Sequence, residues 1–443
     1  MRIQLSDHFT YNKLLRFVFP SIIMMVFTSI YSVVDGLFVS NFAGKTAFAA
    51  VNLIMPVLMG MGTVGFLIGT GGSAVVSKTL GEGKRDKANS YFSMLIYVTI
   101  AVGVLLTIIA LIFIRPISEF LGASGQMLED CVLYGRILIS FQTAFMLQCA
   151  FQSFLVAAEK PKLGLFVTVA AGVTNIILDA LFVAVFKWGI AGAAAATVIS
   201  QLVGAVVPII YFARKNNSLL RLTKAKLNMR ILIKVCANGS SELMTNLSAS
   251  LVNILYNFQL MKFAGENGVA AYGVIMYVNF IFSAVYFGYA IGSAPVVSFN
   301  YGAANTDELK NLFRKSLIIT GLFGFLMVTS SQLLASPLAS WFVGYDAELF
   351  ELTAHGFKVY ALSFLISGFN VFSSAFFTAL NNGAVSAAIA FMRTLVFQLI
   401  AILVLPILLG IDGIWFAIVA AELLALFVSI IFFVAKRKKY KYA

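Results

Sequence analysis

The sequence predicts an all-α integral membrane protein with twelve transmembrane helices arranged in two six-helix lobes. Of its 443 residues, 60% are hydrophobic and only 11% are charged, whereas a soluble domain carries roughly 25% charged residues. Apolar runs long enough to cross a bilayer recur along the chain, and the two halves of the chain resemble each other. So little charge cannot cover a water-soluble particle of this size, which makes a lipid bilayer the expected surroundings.

Each apolar run holds more than about 20 residues, enough at about 1.5 Å per residue to span about 30 Å of hydrocarbon. The runs lie at 15–40, 47–77, 91–114, 131–157, 163–186, 189–213, 231–261, 268–298, 314–336, 351–379, 384–408 and 411–435. Each run predicts one membrane-spanning helix.

Basic residues are concentrated in alternate loops, and this pattern predicts the orientation. The rich set lies at the N-terminus (Arg2, Lys13, Arg16), in 78–90, at 160–162, in 214–234, at 310–315 and from 436 onward. The opposite loops hold only Lys45, Arg115, Lys187, Lys262 and Lys358. Because positive loops stay cytoplasmic, both termini are expected in the cytoplasm, with the protein in the plasma membrane. Orientation also accounts for the net charge of +13, so no nucleic-acid partner is predicted.

The longest basic segment, 214–234, falls in the middle of the chain and is interpreted as a cytoplasmic linker. It separates an N-terminal six-helix lobe, 1–213, from a C-terminal six-helix lobe, 235–443, that ends in a basic tail.

The two halves contain an internal repeat. Residues 41–92 align without a gap on 262–313, an offset of 221. The alignment pairs a shared Phe-Ala-Gly turn (Gly44 with Gly265), a Ser-x-x-x-Gly exit (Gly81 with Gly302) and Asp86 with Asp307. Helices one and seven cross the membrane in the same sense, so the repeat is parallel. Parallel repeats of this kind occur in alternating-access transporters, with the substrate between the halves.

Four acidic residues fall inside predicted helices, where insertion of a charge costs about 2.5–3.5 kcal/mol. They are Asp35, Asp179, Glu242 and Glu422. Counted from the outer helix ends, Asp35 lies roughly 8 Å deep, Asp179 roughly 10 Å and Thr197 roughly 12 Å. Asn175 lies one turn below Asp179 on the same helical face.

Asp35, Asn175, Asp179 and Thr197 are therefore the candidate coupling site in the first half. Two carboxylates, an amide and a hydroxyl suit Na⁺, and two neighbouring carboxylates also suit a proton. The alternative is structural: Asp35 reaches to the outer interface while Asp179 caps a hydrogen-bond network.

A second polar set is expected to line a substrate cavity. Glu242 lies near the middle of helix seven with Asn246 one turn further on, although a packing role for this acid is the alternative. Further lining candidates are Tyr31, Gln142, Gln148, Gln152, Met276, Asn279 and Asn370. Glu422 and Arg393 are interpreted as a structural ion pair, and His355 as an interfacial residue.

No motif in the sequence indicates a function other than transport. The chain has no Walker loop, no H-E-x-x-H and no G-x-S-x-G, so neither an enzyme nor a cofactor is predicted. The three cysteines (Cys131, Cys149, Cys236) lack metal or redox spacing. Without a nucleotide site, an ion gradient is the expected energy source.

Several motifs match a known family. They are Y-S-V-V-D-G-L-F-V-S (31–40), S-K-T-L-G-E-G (77–83), T-N-I-I-L-D-A-L-F (174–182) and G-I-A-G-A-A-A-A-T (189–197). With these motifs the chain resembles the multidrug and toxic compound extrusion (MATE) transporters, in particular the MepA-like branch. The resemblance implies a V-shaped fold of two lobes and a cation or proton site formed by Asp35, Asn175, Asp179 and Thr197. Another branch places a coupling carboxylate in helix ten, where this chain has only Asn370 at mid-depth.

Two functions are left open at this stage. The first is a monomeric, H⁺- or Na⁺-coupled antiporter that exports amphipathic, mostly cationic organic compounds. The second is a flippase or exporter of a lipid-linked or other polar metabolite. A cavity for a polyanionic headgroup needs Arg and Lys, but only Arg136 and Arg393 lie inside predicted helices, which favours the exporter.

Overall fold

The computed structural model describes residues 3–443, apart from the side chain of Lys45. Arg2 of the predicted basic N-terminus therefore lies outside the described residues, as does the Lys45 side chain. The fold is all-helical. Its helices are α1 (Tyr11–Phe38), α2 (Lys45–Gly81), α3 (Arg85–Phe120), α4 (Gly125–Ser140), α5 (Gln142–Ala157), α6 (Pro161–Asp179), α7 (Gly189–Ala213), α8 (Met229–Gly302), α9 (Thr306–Val343), α10 (Ala347–Ala361), α11 (Phe364–Ala379), α12 (Gly383–Phe391), α13 (Phe397–Leu409) and α14 (Ile411–Tyr440).

The helices account for the expected number of spans. Within residues 3–443, 9 helical segments are long and apolar enough to cross a membrane, and the bent pairs α4–α5 and α10–α11 raise the number to 11. Helix α8 is 74 residues long and breaks at Gly265, whose φ of 59° and ψ of −148° are non-helical. Counting α8 as two spans gives twelve, in agreement with the sequence prediction.

The spans differ in detail from uninterrupted rods. Runs 131–157 and 351–379, each predicted as one helix, are pairs of helices bent by 57° and 46°. Three π-helical turns, Val39–Ala43, Ala180–Val185 and Met392–Val396, follow α1, α6 and α12. Helix α8 begins at Met229, inside the segment interpreted as a linker.

Side-chain caps explain where several helices begin. A side-chain oxygen of the residue before the helix accepts a hydrogen bond from a backbone N–H of the first turn, which would otherwise have no partner. This holds for Thr10 before α1, Asn228 before α8, Asn305 before α9, Asp346 before α10 and Asn382 before α12.

The internal repeat is visible in the backbone. Left-handed φ values, which favour glycine, recur in corresponding turns of the two halves. The pairs are Gly44 with Gly265, Gly83 with Ala304, Glu159 with Asn381, and Gly189 with Gly410. Three of these offsets equal the sequence repeat of 221 residues and that of Glu159 with Asn381 is 222, so the turns as well as the helices are duplicated.

The two halves meet closely at the end of the bundle that carries the chain termini and the basic loops, here called the basic end. The last turns of α2 and of α8 cross there without a side chain between them. A Cβ atom on Gly81 would overlap the Phe299 carbonyl oxygen, and one on Gly302 would overlap the Lys78 carbonyl oxygen. Equivalent glycines of the two repeats therefore permit this contact between backbones.

Residues 3–10, here called the N-terminal strap, also join the halves at the basic end. Leu5 N donates to Glu159 Oε1 (2.8 Å) of the first half, and Phe9 N donates to Glu308 Oε1 (3.0 Å) of the second. Lys315 Nζ donates to the Phe9 carbonyl oxygen at 2.6 Å. The side chains of Leu5 and Phe9 are fully buried. The strap is thus packed and hydrogen-bonded into both halves.

The connection between the halves follows the first half closely. Arg221 N donates to Asn89 Oδ1 at 3.0 Å, and Thr223 N donates to Ser93 Oγ at 2.8 Å. These bonds hold the connecting segment along α3.

Candidate cation site and substrate cavities

Helices α1 and α6 lie side by side in the first half and bring its two buried acids together. Asp179 is the last residue of α6, directly before the π-helical turn Ala180–Val185. Asp35 lies four residues before the π-helical turn Val39–Ala43 that continues α1. The two π-helical turns contact each other. Because π-turns inside membrane helices are frequent at functional sites, this region is the first candidate.

The geometry at this point is that of a closed, oxygen-lined pocket. Asp179 is fully buried, and Asp35 and Asn175 are 8% and 2% exposed. The Asp35 carboxyl group lies within side-chain hydrogen-bonding range of both Asp179 and Asn175. Thr197 of α7 lies beside Tyr134 from α4, which in turn lies near both carboxylates. Four helices thus contribute to one site, which we call the first-half oxygen cluster.

The oxygen atoms of this cluster are incompletely hydrogen-bonded. Buried side-chain oxygens with no hydrogen-bond partner among the described residues include Asp35 Oδ1, Asn175 Oδ1, Asp179 Oδ1, Asp179 Oδ2, Thr197 Oγ1 and the Tyr134 hydroxyl oxygen. An ionised carboxylate can only accept hydrogen bonds, so neither of the two can donate one to the other. A buried acceptor without a donor costs about 1–3 kcal/mol and a charged one more. A positive species between the two carboxylates would remove this cost.

That species can be a proton or a hard cation. A proton shared by the two carboxyl groups converts one of them into a donor, and Na⁺ would be held by carboxylate, amide and hydroxyl oxygens. Within the described residues neither carboxylate forms an ion pair with Lys, Arg or His. The chain itself therefore supplies no permanent counter-ion to this cluster.

Two members of the cluster region are absent from the sequence analysis. The Tyr134 hydroxyl group lies beside the predicted residues, and Gln201 Oε1 on α7 is likewise buried without a partner among the described residues. Gln201 follows Thr197 by four residues, so helical spacing could have identified it. The predicted span that contains Tyr134, 131–157, holds no acidic residue, so the sequence gives no sign that Tyr134 belongs to a polar site.

The predicted substrate residues fall into three places rather than one. Tyr31 lies beside Gln148 and near Asp35 in the first half. Gln152 and Gln148 line a very small cavity between α5, α6 and α7. These residues are neighbours of the oxygen cluster, within the first lobe.

Glu242 and Asn246 lie on α8 just beyond its crossing with α2. Gly239 packs against the backbone of Leu67 at that crossing. Asn246 is seven residues, or about two turns, further along and so points to the same side, with Glu242 close to that face. Asn246 is exposed and Glu242 is half-buried. The pair therefore lies on the side of α8 that faces α2 of the first half.

The second half contains its own cavity, of about 160 Å³. Met276 and Asn279, both predicted substrate residues, line it together with Tyr256, Arg393 and Glu422. Arg393 Nε donates to both carboxylate oxygens of Glu422, at 2.9 and 3.0 Å, which confirms the predicted ion pair. The charge in this cavity is thus neutralised from within.

Asn370 lies behind this cavity. It is fully buried, its Nδ2 donates to Glu422 Oε2 at 2.7 Å, and its Oδ1 accepts from Ser429 Oγ at 3.0 Å. Asn370 therefore orients Glu422 in the structure and does not line the cavity. His355 lies at the end opposite the basic end, where its Nε2 is 2.7 Å from Asp412 Oδ1.

An all-helical bundle with two repeated halves and buried polar sites in each defines a multi-pass membrane protein built as a transporter. The MatE family model matches residues 20–181 and, a second time, residues 243–404. One match falls in each half, as the repeat requires. The chain belongs to the MatE family of transporters.

Curated relatives and solved structures agree with this membership over nearly the whole chain. The multidrug export protein MepA of Staphylococcus aureus (strain MRSA252) is 23% identical over 431 residues, covering 96% of this chain and 94% of the relative. A crystal structure of MATE in complex with MaL6 has a TM-score of 0.93 at 23% identity, covering 98% of both chains. An outward-facing multidrug resistance MATE family transporter of the MOP superfamily matches with the same values.

Proposed function

We propose that this protein is a cation-coupled antiporter that exports amphipathic, mostly cationic organic compounds across the plasma membrane. The observation that carries the proposal is the first-half oxygen cluster, whose two carboxylates face each other without a donor. The relatives' printed function, multidrug export, supports the substrate class. Both termini are proposed to be cytoplasmic, since the basic loops lie at the same end.

The proposed coupling step follows from the electrostatics of the cluster. Empty and doubly ionised, Asp35 and Asp179 repel each other across a dry space. With a proton or Na⁺ bound, α1 and α6 can draw together at that level, because the repulsion is replaced by attraction. An ion that binds one arrangement more tightly than the other shifts the equilibrium between them. A shift of α1 then reshapes the first-half cavity and releases substrate outward.

The basic end supports an alternating-access cycle. The contacts of Gly81 and Gly302 and the N-terminal strap close the gap between the halves at that end. In the proposed cycle these contacts separate when the cleft opens to the cytoplasm, and they re-form when it opens outward. The conformation described here would be the one that takes up the coupling ion from outside.

The charges of the cleft favour cationic substrates over polyanionic ones. Glu242 lies on the side of α8 toward the first half, and Arg393, one of the two basic residues of the predicted helix interiors, is neutralised by Glu422. A carboxylate without a basic partner attracts an organic cation and repels a phosphorylated headgroup. A flippase for lipid-linked substrates is therefore the less favoured alternative.

Transport by the purified full-length chain in proteoliposomes tests the proposal. A pH gradient and a Na⁺ gradient are imposed separately, and movement of a permanently charged quaternary ammonium dye is recorded. We expect one of the two gradients to drive transport of the dye at a rate that a neutral analogue does not reach. Failure of both gradients to move any cationic dye, with movement of a fluorescent anionic lipid instead, would replace the exporter by the flippase.

A further inference from the structure

An alcove at the basic end is unrelated to the oxygen cluster and to the second-half cavity. It has a volume of about 1270 Å³, larger than the roughly 300–1,000 Å³ of ordinary small-ligand sites. The first three turns of α1 form one wall and the first turn of α6 forms the roof. Helix α6 starts further into the bundle than α1 does, since Gly164 in its first turn packs beside Met24 in the fourth turn of α1. The space below α6 is left open by this offset.

Positive charge surrounds the alcove. Lys13, Arg16, Lys160 and Lys162 line it, together with one acid, Glu159, whose carboxylate accepts a hydrogen bond from Leu5 N at 2.8 Å. Lys13 pairs with Asp7 at 2.9 Å. Over the described residues, Arg16 and Lys162 form no ion pair and no hydrogen bond. These two cations are available to an anionic ligand.

The start of α6 adds to this field. Its first residue, Pro161, has no N–H, and the N–H groups of the next two residues have no acceptor within the helix. The helix dipole places partial positive charge at the same point. An anionic group in the alcove thus meets two side-chain cations and a helix N-terminus.

On both helices an exposed aromatic ring follows the cation in the direction of the membrane interior. On α1, Phe19 follows Arg16 by three residues and is 59% exposed. On α6, Phe166 follows Lys162 by four residues and is 67% exposed. Both helices run away from the basic end, so each ring lies about one turn, roughly 5 Å, deeper than the cation that precedes it. The order on both helices is a cation at the surface and an apolar ring below it.

We propose that this alcove binds one anionic phospholipid, with its phosphate between Arg16 and Lys162 and its acyl chains along Phe19 and Phe166. The arrangement fits a lipid because basic pockets between membrane helices on one face bind anionic headgroups. A soluble phosphate would use the cations and leave the rings exposed. A zwitterionic lipid would meet a field that repels its ammonium group.

Native mass spectrometry of the full-length chain, released from detergent, measures the proposed binding. Phosphatidylglycerol and phosphatidylcholine with identical acyl chains are titrated in parallel. We expect one phosphatidylglycerol to be retained at concentrations where phosphatidylcholine is lost. Arg16→Gln combined with Lys162→Gln should weaken phosphatidylglycerol binding by about tenfold or more, because each basic residue near the membrane surface contributes about 1 kcal/mol.

A matched control removes the same charges elsewhere at the basic end. Lys310→Gln combined with Arg314→Gln takes one Lys and one Arg from the exposed face of α9 and should change binding by less than about twofold. Phe19→Ala should also weaken lipid binding, whereas Phe325→Ala, which removes a ring exposed to 62% on α9, should not. All variants are checked for unchanged elution as a folded species.

Three outcomes would overturn the proposal. Equal retention of both lipids by the native chain would remove the headgroup preference. Equal losses in the two double variants would show a general charge effect with no site at the alcove. If glycerol 3-phosphate at millimolar concentration competed for the alcove as effectively as phosphatidylglycerol does, the alcove would be assigned to a soluble anion.

Discussion

Buried acids in this protein occur in two electrostatic settings. Glu422 has a permanent partner, since Arg393 Nε lies 2.9 Å from its Oε1. Asp35 and Asp179 have only each other and neutral oxygens. The first setting gives Glu422 a structural role, and the second agrees with the proposal that Asp35 and Asp179 bind an ion from outside. Substitution of Asp35 or Asp179 should therefore impair transport, whereas substitution of Glu422 should reduce stability.

At the first-half cluster, Asp35→Asn and Asp179→Asn should each abolish gradient-driven dye transport. Asn has nearly the size of Asp, but its amide can neither take up a proton nor neutralise the charge of Na⁺. The protein should remain folded, because the amide can donate a hydrogen bond to the remaining carboxylate. Since the two acids act as a unit, the double variant should transport no worse than either single variant. Normal gradient-driven efflux in both single variants, measured in proteoliposomes, would place coupling elsewhere.

At the second-half cavity, Glu422→Gln should destabilise the protein. It leaves Arg393, which is 16% exposed, without its counter-ion. Loss of one partner from a buried ion pair costs about 3–5 kcal/mol. Thermal unfolding in detergent should show a Tm several degrees below that of the native chain, whereas Asp35→Asn should not lower Tm. A Tm unchanged by Glu422→Gln would mean that solvent already screens the pair.

The sequence could identify Asp35, Asn175, Asp179 and Thr197 as a set because charges in membrane helices are rare and depth follows from helix ends. It could not show which side of a helix faces which neighbour. Tyr134 was missed for that reason, and Asn370 was expected in a cavity although it lies behind Glu422. The roles of the cluster and of the substrate residues in transport remain predictions.

Among the elements, the spans were predictable from hydropathy and the bends were not. The run 131–157 is uniformly apolar, yet α4 and α5 meet at 57°. Phe141 between them adopts φ −117° and ψ 18°, and neither Gly nor Pro marks the position. The N-terminal strap was not predicted either, because its residues are mostly polar and its partners, Glu159, α8 and α9, are distant in sequence.

The strap should influence the balance between the two conformations. Glu308 accepts from Phe9 N at 3.0 Å and from Asn311 Nδ2 at 2.8 Å, and its Oε2 lies 2.7 Å from His8 Nδ1. Hydrogen bonds to a charged group contribute about 1.5–3 kcal/mol, so Glu308→Gln should raise the population with an open basic end by roughly tenfold. Spin labels at Lys84→Cys and Lys310→Cys, placed after removal of the native cysteines, would report this as a longer distance.

A matched variant tests whether the effect belongs to the strap. Glu351→Gln removes the same charge from an exposed position at the opposite end of the molecule. It should leave the spin-label distances unchanged. Equal distance distributions for Glu308→Gln and the native chain would show that the strap does not stabilise the conformation with a closed basic end.

On the scale of the whole molecule, the charge asymmetry predicts the orientation in the membrane. Cysteines introduced at Glu348 and at Lys226, both exposed in the structure, mark the two ends. A membrane-impermeant maleimide added to intact cells should label Glu348→Cys and spare Lys226→Cys. The native Cys236, which is exposed, must be replaced first. The reverse labelling pattern would invert the predicted topology.

The repeat and the family were predictable at this scale because duplicated turns leave matching residues in the sequence. Gly44 with Gly265 and Gly81 with Gly302 are such pairs, and both members of each serve the same purpose in the fold. The crossing at the basic end depends on both halves at once, and its closeness could be known only from the coordinates.

The ion pair of Arg393 with Glu422 has a consequence for how the two copies diverged. A duplication begins with two identical halves, so both halves could at first have had the same function. The built-in counter-ion removes the need for an external cation at Glu422, whereas Asp35 and Asp179 of the other copy have no such partner among the described residues. Divergence has therefore given a fixed ion pair to the second half, and we expect a gradient to act at the first.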